Sequence, residues 1–497
     1  MAVVIAVDAG TTGVRSLAID PSGTIKGWSY REFTQHFPGP GLVEHDAAEI
    51  WSATLTTMGE LMASVDEPVA AIGITDQRET TVVWDRRTGE PRHRAIVWQD
   101  RRTADRCQAL TDAGHLDMVR RRTGLGLDPY FSASKLEWLL GPGGVEADAD
   151  LAFGTVDSWL LWNLTGGAVH ATEPTNASRT LLYDIGEGRW SEALLDLFGV
   201  PASCLPEVRP TSGRFGTTTD DLPVPAGIPI SGMAGDQQSA LFGQACFEAG
   251  MTKNTYGTGS FILMNVGTTC PEPVEGLLTT IAWQLGDDAP VYALEGAIFV
   301  TGAAVQWLRD GLGIIADAAE TGPLAASCPD TEGVYLVPAF TGLGSPWWDP
   351  WARGTIVGIS RGTGRAHLAR AVVEAMAYQT RDVVTVMSAA SGCAVELLRV
   401  DGGASAMDLL LQLQADQLQV PVARPVNQET TAFGAAYLAG LAEGVWAGLD
   451  DVTRAWHLDA QFEPAATAEA ADAKHAQWLR AVERSRGWAA GEEEPST

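Results

Sequence analysis

Lysine is nearly missing from this chain, with four residues in 497, and arginine supplies the rest of the 33 basic side chains against 62 acidic ones. The resulting net charge of −29 disfavours nucleic acid and anionic lipid as partners, because both repel such a surface. An anionic substrate must then be captured by positive groups gathered locally. The six cysteines, Cys107, Cys204, Cys246, Cys270, Cys328 and Cys393, stand far apart and form no Cys-x-x-Cys pair. That argues against a disulfide framework or a zinc site and leaves buried thiols as the expectation. No apolar run approaches the roughly 20 residues of a membrane span, and no basic-plus-apolar leader pattern is visible. The expectation is a cytoplasmic protein with no membrane insertion.

What is present is the composition of a globular protein, 45% hydrophobic and 19% charged, long enough for two sizeable cores. Apolar strand-like runs alternate with turns, as in Ala70 to Asp85 and Ala95 to Asp100, and helical patterns cover Asp46 to Val65 and Phe131 to Leu140. The class is α/β. The stretch VVIAVDAGTTGVRS, Val3 to Ser16, pairs a buried strand with a tight Gly/Thr turn and a second strand near Leu17 to Asp20. Its residues fit an ordinary hairpin turn. They also fit a cradle in which backbone N–H groups and the Thr11 and Thr12 hydroxyls meet phosphate oxygens, with Arg15 adding charge. The Gly-Lys-Thr/Ser ending of a P-loop is missing.

A weaker echo follows at Asn254 to Gly267, again a Gly/Thr turn joined to a strand, so two halves could close on one phosphate-bearing ligand. The break falls near residues 246 to 254. Leu397 to Leu418 reads as a strand, an Asp-Gly-Gly turn and an apolar helix, a layout in which a ligand can meet a helix N-terminus or which merely connects two elements. Beyond about Ala465 the Ala- and Glu-rich tail, ending GEEEPST, is expected to be a solvated helix with a frayed end.

Asp8-x-Gly-Thr-Thr, Gly257-Thr258-Gly259 and Asp401-Gly402-Gly403, in that order, resemble the sugar-kinase branch of the actin-like ATPases. The blocks GITDQRETTVVWD (Gly73 to Asp85), AIVWQDRRT (Ala95 to Thr103), DPYFSASKLEWL (Asp128 to Leu139), ISGMAGDQQSALFGQ (Ile230 to Gln244), KNTYGTGSF (Lys253 to Phe261), YALEGAIFVTGAAVQWLRD (Tyr292 to Asp310) and VPAFTGLGSPWWDPWARG (Val337 to Gly354) look like those of glycerol kinases in the FGGY carbohydrate kinase family. The likeness runs from residue 3 to about residue 452.

The resemblance implies two actin-like (ribonuclease H-like) α/β domains, each with a central mixed sheet flanked by helices, around a cleft. Residues 1–248 would carry the glycerol pocket, the first phosphate loop and the catalytic aspartate. Residues 249–497 would carry the second phosphate loop and the adenosine site. It implies transfer of the ATP γ-phosphate to glycerol, giving sn-glycerol 3-phosphate and ADP, with Mg²⁺, in a homodimer or homotetramer. Asp236 is then the base, which a helix N-cap role would otherwise explain. Arg78 and Glu79 supply a donor and an acceptor for glycerol, Tyr130 a phenol, Trp98 and Phe261 the apolar wall, and Gln237 lies beside Asp236. Thr11, Thr12, Gly13 and Arg15 meet the ATP phosphates, and Asp8 lies by the Mg²⁺. Thr258, Gly302 and Gln306 continue the nucleotide site, Gly403 sits beneath the adenosine, and Met407 stands where an asparagine is common. Each of these side chains taken singly also has a structural reading, Arg78 and Glu79 as a surface ion pair and Trp98 and Phe261 as core.

Three departures are visible. The first loop reads Asp-Ala-Gly-Thr-Thr-Gly-Val-Arg, so Gly13 lacks a serine hydroxyl found in many relatives. Met407 cannot make an amide's hydrogen bond to the nucleotide. Thr218 to Gly232 contains two acids and no arginine, which predicts no inhibition by fructose 1,6-bisphosphate, and no histidine for activation by phosphorylation. Trp347, Trp348 and Trp351 sit on a Gly/Pro loop where packing is the favoured reading over carbohydrate stacking.

Overall fold

The computed structural model describes residues 2–490, so the acidic end of the tail lies outside the described residues. Two mixed sheets organise it. In the first, β1 (Val3–Ala9), β2 (Gly13–Ile19) and β3 (Ile25–Glu32) form an antiparallel meander. β4 (Val69–Asp76) and β6 (Pro229–Gly235) then add in parallel beyond β1, and β5 (Ser212–Thr217) closes that edge. The order is β5-β6-β4-β1-β2-β3.

The second sheet repeats the plan. β7 (Thr252–Tyr256) and β8 (Ser260–Gly267) are antiparallel across the second Gly/Thr turn. β10 (Val291–Ile298) and β9 (Leu278–Trp283) extend that side. β11 (Leu398–Asp401) and β12 (Val422–Pro425) run parallel to β7 on the other, and β13 (Leu458–Phe462) is the antiparallel edge. The faint echo in the sequence is therefore a repeated topology. The first turn's second strand begins at Gly13, earlier than the predicted Leu17, because Val14 to Ile19 pairs along almost all of β1 and Gly13 pairs with Glu32 of β3.

Strand periodicity decides what faces the cleft. In β1, Val3, Ile5, Val7 and Ala9 enter a core built with the helix Ala47–Ser64, which falls within the expected Asp46 to Val65 and is capped by the Asp46 side chain. Val4 and Ala6 enter the core between the two halves, and Asp8 shares their face. The same alternation in β8 turns Phe261 and Leu263 to that interdomain core and Ile262 and Met264 away from it.

Two helices join the halves. One, Asp236–Gly243, follows β6, and the other, Thr430–Ala442, follows β12 but packs against the first sheet as well. Glycine makes the contact: a Cβ on Gly243 would lie 2.0 Å from the Thr430 carbonyl oxygen, and one on Gly434 would lie 1.9 Å from that of Ser239. Beneath the second helix, Gly73 would place a Cβ 2.1 Å from the Ala435 oxygen. Backbones approach this closely only where there is no side chain.

Some local expectations are corrected. Cys270 is exposed and Cys393 half-buried, whereas Cys107, Cys204, Cys246 and Cys328 are buried thiols. The tail helix Ala468–Ser485 is not simply solvated: Trp478, Ala481 and Val482 are buried, and the Trp478 indole donates to Asp382 at 2.8 Å. In Ala95 to Asp100 only Ala95–Ile96 is strand. Trp348 is anchored by a 2.9 Å bond to the Gly276 carbonyl, while Trp351 stays half exposed. No helix among the described residues is long and apolar enough to cross a membrane.

Candidate active site

The first Gly/Thr turn is fixed from below. Gln35 and Gln77 donate their side-chain amides to the carbonyls of Thr11 and Gly10 at 2.9 and 3.0 Å, and the Trp98 indole donates to the Thr11 hydroxyl at 3.0 Å. Thr12 is exposed at the turn's tip. Gly13 is needed by its neighbours: a Cβ there would lie 2.5 Å from the Arg31 carbonyl and 2.7 Å from the Tyr30 hydroxyl. The missing serine thus leaves its place to the Tyr30 phenol. Arg15 lies over the Tyr30 ring and forms an ion pair with Glu429, just before the helix Thr430–Ala442.

Asp8, half-buried on the cleft face of β1, has its carboxyl pushed up to about 7, chiefly by burial and by Asp236, with Arg15 pulling the other way. Asp236 opens its helix one residue after the cap position of Gly235, so it is not the N-cap. Its carboxylate is 31% exposed and lies 3.2 Å from Arg78 Nε, the Gln237 backbone N–H also donating to it at 2.7 Å.

Arg78 and Glu79 are no surface pair. Both are buried, in the turn after β4, and Glu79 takes a left-handed φ of 64°, a conformation that costs a non-glycine residue about 1–3 kcal/mol. Arg78 also reaches Tyr130 at 3.3 Å and lies beside the Phe261 ring. The Tyr130 ring meets Trp98 edge-on with centroids 5.6 Å apart. The backbone leading into the helix Ser132–Leu140 is pinned by buried Lys135, whose ammonium donates to the carbonyls of Pro129, Tyr130 and Phe131 at 2.6 to 2.9 Å. Burial pushes Lys135 down to about 8, against the pull of Glu79 and Asp128.

The structure thus joins Asp236, Arg78, Glu79, Tyr130, Trp98, Phe261 and Thr11 through direct contacts. Gln237 enters through buried Lys253, which donates to its side-chain oxygen at 2.5 Å and to Thr255 at 2.8 Å.

The residues expected at the nucleotide form a second group on the other sheet. The carbonyls of Gly257 and Thr258 accept N–H bonds from Thr301, Gly302 and Ala303 at 2.9 to 3.1 Å, which ties the second turn to the helix Gly302–Gln306. Gln306 and Thr258 are exposed. Gly402, with φ 83°, passes under Tyr256, whereas Gly403 has open space where a Cβ would stand. Met407 packs on Gly322, and Asp401 is buried away from the surface, accepting from Gln244 and Thr430 at 2.7 Å each.

Residue spacing had not revealed Arg179, Glu295, Lys253 or Glu429. Arg179 and Glu295 are fully buried and stand beside Arg78 and Glu79. Their only sequence signal is a buried charge expected to have a partner, and the partners come from distant elements.

Comparison with known proteins agrees with this architecture. Residues 3–243 match the N-terminal domain and residues 252–443 the C-terminal domain of the FGGY family of carbohydrate kinases. The chain belongs to that family, and its two domains have the actin-like fold. It is 54% identical over 492 residues to a glycerol kinase of Carboxydothermus hydrogenoformans, covering 98% of each chain. The crystal structure of Plasmodium falciparum glycerol kinase with ADP superposes with a TM-score of 0.92 at 35% identity, covering 98% of each chain. A gluconate kinase from Lactobacillus acidophilus, 21% identical, shares the fold with a TM-score of 0.88 over 98% of each chain.

Proposed function

We propose that this protein is an ATP-dependent glycerol kinase, producing sn-glycerol 3-phosphate and ADP for glycerol catabolism. The observation that carries this is the 54% identity to a glycerol kinase over nearly the whole chain. It is supported by the meeting of Asp236, Arg78 and Tyr130 beside the first Gly/Thr turn.

Glycerol is small and uncharged, so its hydroxyls need fixed donors and acceptors over an apolar wall. Arg78 and Glu79 provide these, Tyr130 adds a phenol, and Trp98 and Phe261 form the wall. The reacting hydroxyl lies at Asp236, which accepts its proton. A carboxylate is a weak base towards an alcohol, so the proton leaves late, as the new O–P bond forms. Thr11, Thr12, Gly13 and Arg15 receive the phosphates from one sheet, and Thr258, Gly302 and Gln306 from the other. Adenosine lies over Gly403 and beside Met407. Closing the cleft excludes water as a competing acceptor.

Mg²⁺ fits this site through one carboxylate. Asp8 and Asp236 raise the cost of negative charge between them, a place a hard cation relieves. Among the described residues no three His, Cys, Asp or Glu side chains gather to hold an ion, so the metal would be held by Asp8, water and phosphate oxygens. When bound it neutralises phosphate charge in transfer. We place the domain boundary at 248/249, and the resemblance to glycerol kinases supports a homodimer or homotetramer in the cytoplasm, which sedimentation of the purified protein would check.

The role of Asp236 is tested by Asp236→Asn, which should lower kcat about 10²- to 10⁴-fold while the protein still binds glycerol. Full activity in that variant would remove Asp236 as base. A panel of glycerol, gluconate and xylulose, read by ADP release, separates this reading from a kinase for another polyol or sugar.

A further inference from the structure

Behind the proposed glycerol pocket two arginines and two glutamates form a closed, charge-neutral square. Arg179 Nε donates to Glu79 at 2.6 Å and its Nη2 to Glu295 at 2.9 Å. Glu295 in turn accepts from both terminal nitrogens of Arg78, at 2.5 and 3.1 Å. None of the four side chains is more than 2% exposed. The guanidinium of Arg179 also lies over the rings of Tyr130 and Phe131, 5.6 and 5.3 Å from their centroids.

The four come from three separate parts of the fold. Arg78 and Glu79 leave β4, Arg179 follows the short helix Pro174–Ala177, and Glu295 lies on β10 of the second sheet. The pair that faces the substrate is therefore held by one residue of its own domain and one from the opposite domain. Glu295 has both arginines in bidentate or direct contact, and they hold its carboxyl down at about 2 against the effect of burial. Glu79 has one short contact, with Arg78 Nε 3.8 Å away, so burial prevails and its carboxyl is raised. At Glu79 the direct charged hydrogen bond comes from Arg179, at 2.6 Å, and Arg78 adds its attraction from 3.8 Å.

We infer that Arg179, clamped by Glu295, is a positioning residue for the glycerol pocket: it keeps Glu79 ionised and aimed as an acceptor, while Glu295 fixes the angle of Arg78. This rests on the glycerol kinase reading. Replacing Arg179 leaves Glu79 facing Arg78 as a distant cation, with Glu295 and Tyr130 opposing its charge and Lys135 favouring it. The carboxyl should then protonate at higher pH, and glycerol should lose an acceptor.

The test compares wild type, Arg179→Gln and Arg179→Lys by steady-state kinetics across pH. Glycerol-dependent ADP release by wild type checks the underlying reading independently. Arg179→Gln should raise the KM for glycerol about tenfold to hundredfold, as expected for a lost charge-assisted bond, with the KM for ATP within about twofold. The acidic limb of kcat/KM for glycerol should move to higher pH. Arg179→Lys should return that limb towards wild type but keep a raised KM, because an ammonium lacks the planar fork that spans two carboxylates. Equal loss for glycerol and ATP with an unmoved limb, or unchanged glycerol KM, would overturn the inference. So would failure of both variants to fold, since that makes the role structural.

Discussion

Adding one methyl group at Gly302 should damage ATP use far more than glycerol binding. The ideal Cβ of Gly302 lies 2.5 Å from the Gly257 carbonyl oxygen, against an ordinary contact that begins at 3.4 Å. The obstacle is backbone, so no side chain can swing aside. The second Gly/Thr turn and the helix Gly302–Gln306 would have to separate by about 0.9 Å, straining three N–H bonds of 2.9 to 3.1 Å. Overpacking of this kind costs about 1–3 kcal/mol of stability, and misplacing a reactant by about 1 Å can cost about 10²-fold in rate. Gly302→Ala is therefore expected to lower kcat/KM for ATP about a hundredfold, with the KM for glycerol within about twofold. The assay is coupled ADP release at varied ATP, with thermal melting to confirm folding. Gly403→Ala is the control, since among the described residues nothing lies within 4 Å of that Cβ. It should melt like wild type and raise the KM for ATP if adenosine lies there. Gly302→Ala turning over ATP within threefold of wild type would refute the steric reasoning.

Two other perturbations follow from the first turn. Asp8→Asn, measured in EDTA, should melt higher than wild type above pH 7. A carboxyl raised from 3.8 to about 7 in the fold costs stability as pH rises through that window, and the two proteins should converge near pH 4. The same variant should need more Mg²⁺ for activity; a wild-type melting advantage at pH 8 without metal would contradict the reading. Glu429→Gln frees Arg15 from its ion pair, which should lower the KM for ATP by up to about fivefold at low salt, the scale of an exposed pair. A raised KM would place Glu429 on the nucleotide's side.

Local chemistry was legible wherever it lay along one strand and its turn. The apolar, β-branched run Val3 to Val7 and the Gly/Thr turn after it predicted a strand pair, and the echo at Asn254 to Gly267 proved to be the same strand–turn–strand of a repeated sheet. Asp236 and the Arg78–Glu79 pair stood out through the resemblance of GDQQ and QRET to glycerol kinase blocks, since taken singly they also fitted a helix cap and a surface ion pair. Contacts made across the fold were not legible. Arg179 lies about a hundred residues from Glu79 and Glu295 still farther from Arg78, and no spacing rule joins them. Nothing periodic announces that Thr430–Ala442 covers the first sheet, since its glycines matter only once Ser239 is opposite. The tail misled because its many alanines and charged residues hide the few that anchor it, Trp478 and His475 on Asp382 and the buried Ala481 and Val482.

The central claim is tested most directly by adding glycerol to the purified protein with ATP and Mg²⁺ and following ADP release together with the phosphorylated product. The account predicts ADP release that depends on glycerol and matches the sn-glycerol 3-phosphate formed mole for mole. ADP release indifferent to glycerol, or glycerol recovered unphosphorylated, would contradict it.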